Sequence, residues 1–446
     1  MSDPASMIKM RPLQILKFGG TSVGDASSIR RVVEIVRNAA DESDLVVVVS
    51  AMGGVTNKLI EAAKRSEVSD RSAAEAIFAA LRDQHDSALN NLVQSPQQRR
   101  AIHSKMQDCY EQGEQLCKSG QTMGELSLKD RDLISSLGER LCAPLVAAAL
   151  TASGVKSEAI DATEILVTDS CHGAANPCMD ATRERCQEQI EKLLLQGIVP
   201  VVTGFIGATS EGVLTTLGRG GSDYSATILG AALGADEVII WTDVDGLMTA
   251  DPRAVAEACT IPEISYREAA ELARFGAKVL HPKTLRALTQ CGIPLWIRNT
   301  FAPHLPGTRI TPAGPAIRGG VKGLTAMVHC EAAGEPTHGN AEDITHDPSA
   351  AIVTAVGMDI RSTEAAARML GALSLAQVNV VAMFEGASRC SVSVVVASKD
   401  KTAALVALHH EFQLGEIVWP VISAAGPAVA TAAPYYQSEP TPAEGD

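Results

Sequence analysis

The chain has 446 residues, 46% hydrophobic and 20% charged, too long for one average domain and able to bury a large core. Its 38 basic and 52 acidic residues give a net charge of −14, with no run of lysine or arginine. A nucleic-acid duplex or an anionic membrane is therefore excluded as a partner, and an anionic ligand must be held by local cations and backbone amides.

Leu13 to Lys17 is an apolar run suited to a strand buried on both faces of a mainly parallel sheet. It enters Lys17-Phe18-Gly19-Gly20-Thr21-Ser22, and a helix is expected from near Ala26. Glycines there let backbone N–H groups approach phosphate oxygens, and the helix N-terminus adds favourable partial charge. Lys17 can reach a transferring phosphoryl group as a mobile point charge. The lysine precedes the glycines, so this is not a Walker loop, and alone the pair of glycines favours a plain strand-to-helix turn with a surface lysine. A second strand, Leu45 to Val49, leads into Ser50-Ala51-Met52-Gly53-Gly54-Val55-Thr56-Asn57. Two such loops at carboxyl ends of strands can face one pocket.

Ile102, Met106, Cys109 and Leu116 recur at helical spacing, with Gly113 on the same stripe. Glu139, in Leu137-Gly138-Glu139-Arg140, sits on a helix among apolar neighbours; by itself it is an ordinary solvated glutamate. After the strand Ile198 to Val202 comes the most informative segment, Thr216-Leu217-Gly218-Arg219-Gly220-Gly221-Ser222-Asp223-Tyr224-Ser225. Arg219 offers a fork for a carboxylate or phosphate. Asp223, in a first helical turn, can orient Lys17 or help hold a metal ion, although the helix dipole alone would favour an aspartate there. Ser222 is expected to cap a helix that buries Ala226, Leu229 and Leu233 and ends at Gly234.

The strand Val238 to Trp241 precedes Trp241-Thr242-Asp243-Val244-Asp245-Gly246 and Ala250-Asp251-Pro252-Arg253, a segment able to bind a nucleoside edge and its phosphates. The EF-hand pattern is not completed, so no dedicated calcium site is expected. Ser265 and Glu268 form a capping box, with Gly276 at that helix's end. In Phe275-Gly276-Ala277-Lys278-Val279-Leu280-His281-Pro282, Lys278 is a nucleotide-facing candidate and His281 a helix-start residue; Pro282 opens a helix that stops at Gly292. Leu295 to Ile297 is a further strand. The alternation predicts an α/β fold, a three-layer αβα sandwich around a mainly parallel sheet, over 11–310.

Beyond it, 311–350 reads as linker with one strand, Val321 to Val328. Residues 351–415 form a β-α-β-β-α unit of ferredoxin-like α+β type: strand Ala351 to Val356, helix Thr363 to Leu373, strands Val378 to Phe384 and Cys390 to Ala397, helix Thr402 to Phe412. The stretch 421–446, Ala, Pro and acidic residues, is expected to be disordered. Ten cysteines lie scattered without CxxC or ligand spacing, no apolar run reaches membrane-spanning length, and MSDPASMIKMRP lacks a signal peptide's apolar centre. Mostly buried, reduced thiols and a cytoplasmic location are expected.

Together, KFGGTSVGD, SAMGGVTN, LGER, TTLGRGGSDYSA, WTDVDGLMTADPR and FGAKVLHPKT resemble aspartokinases of the amino-acid kinase superfamily, in the family's order, from 13 to about 310. The 351–413 unit resembles an ACT regulatory domain. The resemblance implies transfer of the γ-phosphoryl group of ATP to the β-carboxylate of L-aspartate, with Mg²⁺ carried by the ATP phosphates rather than by a dedicated protein site. It implies Lys17 and Asp223 as catalytic residues and Thr56, Glu139, Arg219 and Ser222 as the aspartate site. Arg219 would take the α-carboxylate and Glu139 the α-ammonium. Lys17, Gly19, Gly20, Thr242, Asp243, Met248, Arg253 and Lys278 would line the ATP site, Met248 standing where the family often has tyrosine. A homodimer or higher homo-oligomer through ACT domains is implied as well.

The family usually carries two ACT units, with lysine or threonine bound mainly at the first. Here a truncated remnant occupies that place, so weak or absent inhibition by either amino acid is expected. A sister kinase acting on glutamate, acetylglutamate, carbamate or a nucleotide is the rival enzyme, against which the LGER and TTLGRGGSDYS pairing argues. A non-catalytic amino-acid sensor would be expected to have lost Lys17, Arg219 and Asp223, all of which are present.

Overall fold

The computed structural model describes residues 11–277, 279–315, 320–328, 349–358, 360, 363–386 and 388–416. β1 (Leu13–Phe18) runs into α1 (Ala26–Ala40), and β2 (Asp44–Val49) into α2 (Val55–Glu67). Three long helices follow, α3 (Arg71–Leu92), α4 (Pro96–Met123) and α5 (Leu128–Ala152). Next come β3 (Ser157–Ile160), α6 (Met179–Leu195), β4 (Val199–Thr203) and a hairpin of β5 (Ile206–Ala208) with β6 (Leu214–Thr216). α7 (Gly221–Leu233), β7 (Glu237–Thr242), β8 (Glu263–Ser265), α8 (Tyr266–Arg274), α9 (Pro282–Thr289), β9 (Leu295–Asn299) and β10 (Thr308–Thr311) complete the larger unit.

Its eight-stranded sheet has the order β3-β4-β2-β1-β7-β9-β10-β8, parallel throughout except where β10 meets β9. The pleat sends Leu16 and Phe18 of β1 into a core shared with α1 to α5, and Ile15 into a core shared with α6 to α9. A sheet buried on both faces is the expected sandwich, and it explains why β2 is the nearly continuous run DLVVVV. β1 lies between β2 and β7, where the connections diverge to opposite sides. The carboxyl end of β1 is therefore the crevice in which such sheets bind ligands.

Three expectations need correction here. α5 is long and apolar enough to cross a membrane, contrary to the sequence reading, but here it is a core helix, 72% buried over its most apolar window. It also carries Asp132 and Glu139 inward. α7 starts two residues earlier than expected: Gly220 (φ +70°) is its N-cap, and Ser222 lies inside the first turn without capping. A left-handed backbone at that position favours glycine over a serine cap. Of the nine described cysteines, four are buried and three exposed, so the thiols are less uniformly buried than expected.

The smaller unit contains β11 (Val321–Val328), β12 (Ala350–Gly357), α10 (Thr363–Leu375), β13 (Val380–Glu385), β14 (Ser391–Ala397) and α11 (Lys401–Glu411). Its antiparallel sheet has the order β11-β12-β14-β13. The β-α-β-β-α run supplies three strands, and β11, from upstream, takes the outer place beside β12 that a fourth strand fills in a split βαβ unit. Ala250 and Val255 of the larger unit belong to the small unit's core. Polar contacts close the same joint. Lys322 Nζ meets Glu268 Oε2 at 2.8 Å with both side chains 0% exposed. Ser391 Oγ donates to Glu271 Oε2 at 2.5 Å, Thr249 Oγ1 meets His409 Nε2 at 3.0 Å, and Leu324 N donates to Thr249 O at 2.7 Å. Ala387 of the Glu385–Arg389 turn and the 421–446 tail lie outside the described residues, as does most of the expected linker.

Candidate active site

β1 ends by delivering Lys17, 7% exposed, to the crevice. Its Nζ lies 2.5 Å from Asp223 Oδ1 in the first turn of α7, so residues far apart in the chain share one ion pair. Gly19 follows, its N–H donating to Trp241 O at the end of β7 (3.1 Å). A Cβ at Gly19 would stand 3.5 Å from the Lys17 ammonium, and one at Gly20 would stand 3.1 Å from Ala51 O. The first glycine loop thus lies against the second. Ser50 N donates to Phe18 O at 3.1 Å, and Gly54 (φ +79°) turns the chain into α2, which carries Thr56, half-buried, in its first turn.

Glu139 rises from α5 beneath that second loop and is 3% exposed. Its neighbour Gly138 permits the approach, since a Cβ there would stand 2.5 Å from the Ala51 side chain. Oε1 accepts a hydrogen bond from Ala51 N at 3.1 Å, while Oε2 is buried and has no partner among the described residues. Burial pushes the Glu139 carboxyl up to about 8, against the opposing pull of the Ala51 N–H and the Lys17 charge. A buried carboxylate oxygen without a donor is a place for an incoming cation.

Arg219 stands exposed on the glycine loop before α7. Its charge, after burial and Lys283, helps hold the His281 imidazole below its ordinary range. His281 caps α9 by accepting from Lys283 N at 3.2 Å and packs over Gly220. Ser222 is 9% exposed and touches Gly204, whose N–H donates to Val49 O at 2.8 Å. The ends of β2 and β4 therefore meet α7 at the same point.

On the other side of Lys17, Thr242 ends β7 and Asp243 follows it; Asp243 is exposed and accepts from Thr242 Oγ1 at 3.3 Å. Met248 Sδ accepts from Thr260 Oγ1 at 3.6 Å. Arg253, its side chain 86% exposed, pairs with Asp251. Among the described residues no hydrogen bond or ion pair joins Met248 or Arg253 to Lys17 or Asp223. Lys278 lies outside the described residues. Among the described residues no group of three or more His, Cys, Asp or Glu could hold a metal ion.

Sequence reasoning passed over three contributors. Phe205, at the end of β4, holds φ +70°, uncommon for a bulky side chain, and its N–H bonds Ser225 Oγ (2.9 Å) on α7. Asp132 and His172 form a 2.8 Å contact beneath the Arg219 loop. Asp132 follows the charged run Lys129-Asp130-Arg131 at the start of α5, so neither it nor His172 carried a signal in the sequence.

Residues 12–299 match the model of the amino acid kinase family, and 353–412 match that of the ACT domain. Aspartokinase 1, chloroplastic, of Arabidopsis thaliana is 37% identical over 302 residues, 67% of this chain and 52% of that protein. Lysine-sensitive aspartokinase 3 of Escherichia coli is 36% identical over 301 residues, 68% of this chain and 64% of that protein. This chain spans about half the length of the first of these relatives. Among solved structures, E. coli aspartokinase III in complex with aspartate and ADP superposes with a TM-score of 0.75 at 26% identity, over 90% of this chain and 99% of that one.

Proposed function

The chain belongs to the amino acid kinase family, and on that premise we propose that it is an ATP-dependent aspartate kinase. The observation that carries the reading is the meeting of Lys17 with Asp223, four residues beyond Arg219, at the carboxyl end of the central strand. A cation held by a carboxylate at a glycine cradle suits a phosphoryl group in transfer, and an arginine with a buried, unpaired glutamate suits the two α-groups of an amino acid.

The β-carboxylate of aspartate is ionised at neutral pH, so no general base is needed. One of its oxygens attacks the γ-phosphorus, the new O–P bond forms, and the bond to the β–γ bridging oxygen breaks with its electron pair leaving on ADP. The product is the mixed anhydride 4-phospho-L-aspartate. Lys17 neutralises charge on the transferring group, and Asp223 holds the ammonium in place. The Gly20 amide faces the phosphates, whereas the expected Gly19 amide is committed to Trp241 O; Arg219 takes the α-carboxylate, and Glu139 Oε2 takes the α-ammonium. Thr56 and Ser222 flank the substrate. Asp223 and exposed Asp243 are carboxylates suited to a Mg²⁺ arriving on the nucleotide, where the ion supplies charge neutralisation.

The small unit serves regulation and pairing of copies. Its outer strand β13 and the exposed Val381 (69%) and Leu375 (89%) support association through this sheet. Among the described residues, β11 is the one strand between β10 and β12, which supports weak or absent feedback by lysine and threonine. The deciding experiment traps the acyl phosphate with hydroxylamine from ATP, Mg²⁺ and a panel of amino acids. Hydroxamate from aspartate is expected; hydroxamate from glutamate alone would move the chain to a sister activity.

A further inference from the structure

Asp132 is 4% exposed and lies seven residues before Glu139 on α5, hence on nearly the same face and about 10 Å away along the axis. Its carboxylate gathers two separate segments. Oδ1 accepts from Thr216 Oγ1 at 2.6 Å. Oδ2 accepts from Thr216 N at 3.2 Å, Gly173 N at 3.1 Å and His172 Nδ1 at 2.8 Å. Thr216 ends β6, three residues before Arg219. Gly173 lies under Gly218, where the backbone has φ +80° and a Cβ would stand 2.8 Å from Gly173 O. The 172–175 segment is further tied to β6 by Ala175 N donating to Thr216 O at 2.9 Å.

A loop with glycines at 218, 220 and 221 has wide conformational freedom unless something pins it. Here the pin is a carboxylate with four donors, on the helix that also bears Glu139. We propose that Asp132 and His172 are positioning residues that set the span between Arg219 and Glu139, and so the fit of the α-carboxylate and α-ammonium of the amino-acid substrate. The inference rests on the reading of those two residues as the substrate's anchors. Neither Asp132 nor His172 touches substrate. They act through the loop, so their loss weakens the amino acid and spares the nucleotide.

The test is steady-state kinetics of the full chain. Asp132→Asn should raise KM for aspartate on the order of tenfold, while KM for ATP moves less than about twofold. Because Asp132 is buried, the partly exposed His172 provides the second variant. His172→Ala should raise KM for aspartate several-fold, and His172→Asn, which keeps a donor near Nδ1, should restore it. Equal shifts in both KM values, or no shift in His172→Ala, would overturn the inference. Failure of the wild-type chain to turn over aspartate would overturn the aspartate reading and this inference with it, a result distinct from wild-type turnover with unmoved variants.

Discussion

Two lysine–carboxylate pairs among the described residues do opposite things. Lys17 and Asp223, with side chains 9% and 16% exposed, meet at the open mouth of a parallel sheet beside two glycine loops. Lys322 and Glu268 are 0% exposed and closed in by the joint between the two units, where Glu268 Oε2 also accepts from Ser265 N and Oγ to cap α8. The first pair keeps one side open to a ligand; the second has no opening. The same two chemical groups thus border an open crevice in one place and fasten a joint in the other, and the difference lies in what surrounds them.

The comparison breaks most visibly at Lys17. Lys17→Ala should lower kcat on the order of 10³-fold or more in the hydroxamate assay with the fold intact; a mild kinetic effect would remove Lys17 from the mechanism. Lys322→Met should do the reverse. It leaves a buried carboxylate unpaired, at a cost of about 3–5 kcal/mol in unfolding free energy. Loss of turnover without loss of stability in that variant would mean that the joint pair is not structural.

Glu139 sharpens the contrast, being a buried acid without a fixed cation. Glu139→Gln should raise KM for aspartate roughly 10–100-fold, the size of a lost charge-assisted bond. An unfolded glutamate ionises near 4.5 and the folded Glu139 near 8. Between those values the folded state holds a proton that the unfolded state has shed. The stability penalty of burying Glu139 therefore grows as pH rises through this window and levels off above about 8. Two outcomes follow for the wild-type chain. KM for aspartate should fall as pH rises toward 8, since the ammonium needs an ionised partner, and the unliganded protein should lose stability over the same range. The Gln variant should show neither trend. The smallest effect concerns the small unit: sub-millimolar lysine or threonine should leave the rate unchanged, and half-inhibition there would refute the expected loss of feedback.

Much of this was legible in the chain. β-branched runs located β1, β2, β4, β7 and β9, because strands buried on both faces must be apolar throughout. The Lys17 loop and the 216–225 segment were marked by glycines beside charge, a combination that packing alone does not require. The short strands β5, β6, β8 and β10 escaped, having too few residues to show a period. Glu139 looked like a solvated residue because neighbours in sequence do not disclose that a glycine loop from another strand closes over it. The Asp132 anchor escaped for the same reason: all four of its hydrogen bonds come from segments at least forty residues away.

The outermost place beside β12 is filled by a strand that arrives before the rest of its sheet. Cutting the chain at Ala350 would strip β12 of its partner along the whole register from Val321 to Val328 and lay bare a row of unpaired amides and carbonyls. Any graft of this small module onto another scaffold must start at Val321, and it will bring Lys322, a cation that needs a carboxylate waiting in the host.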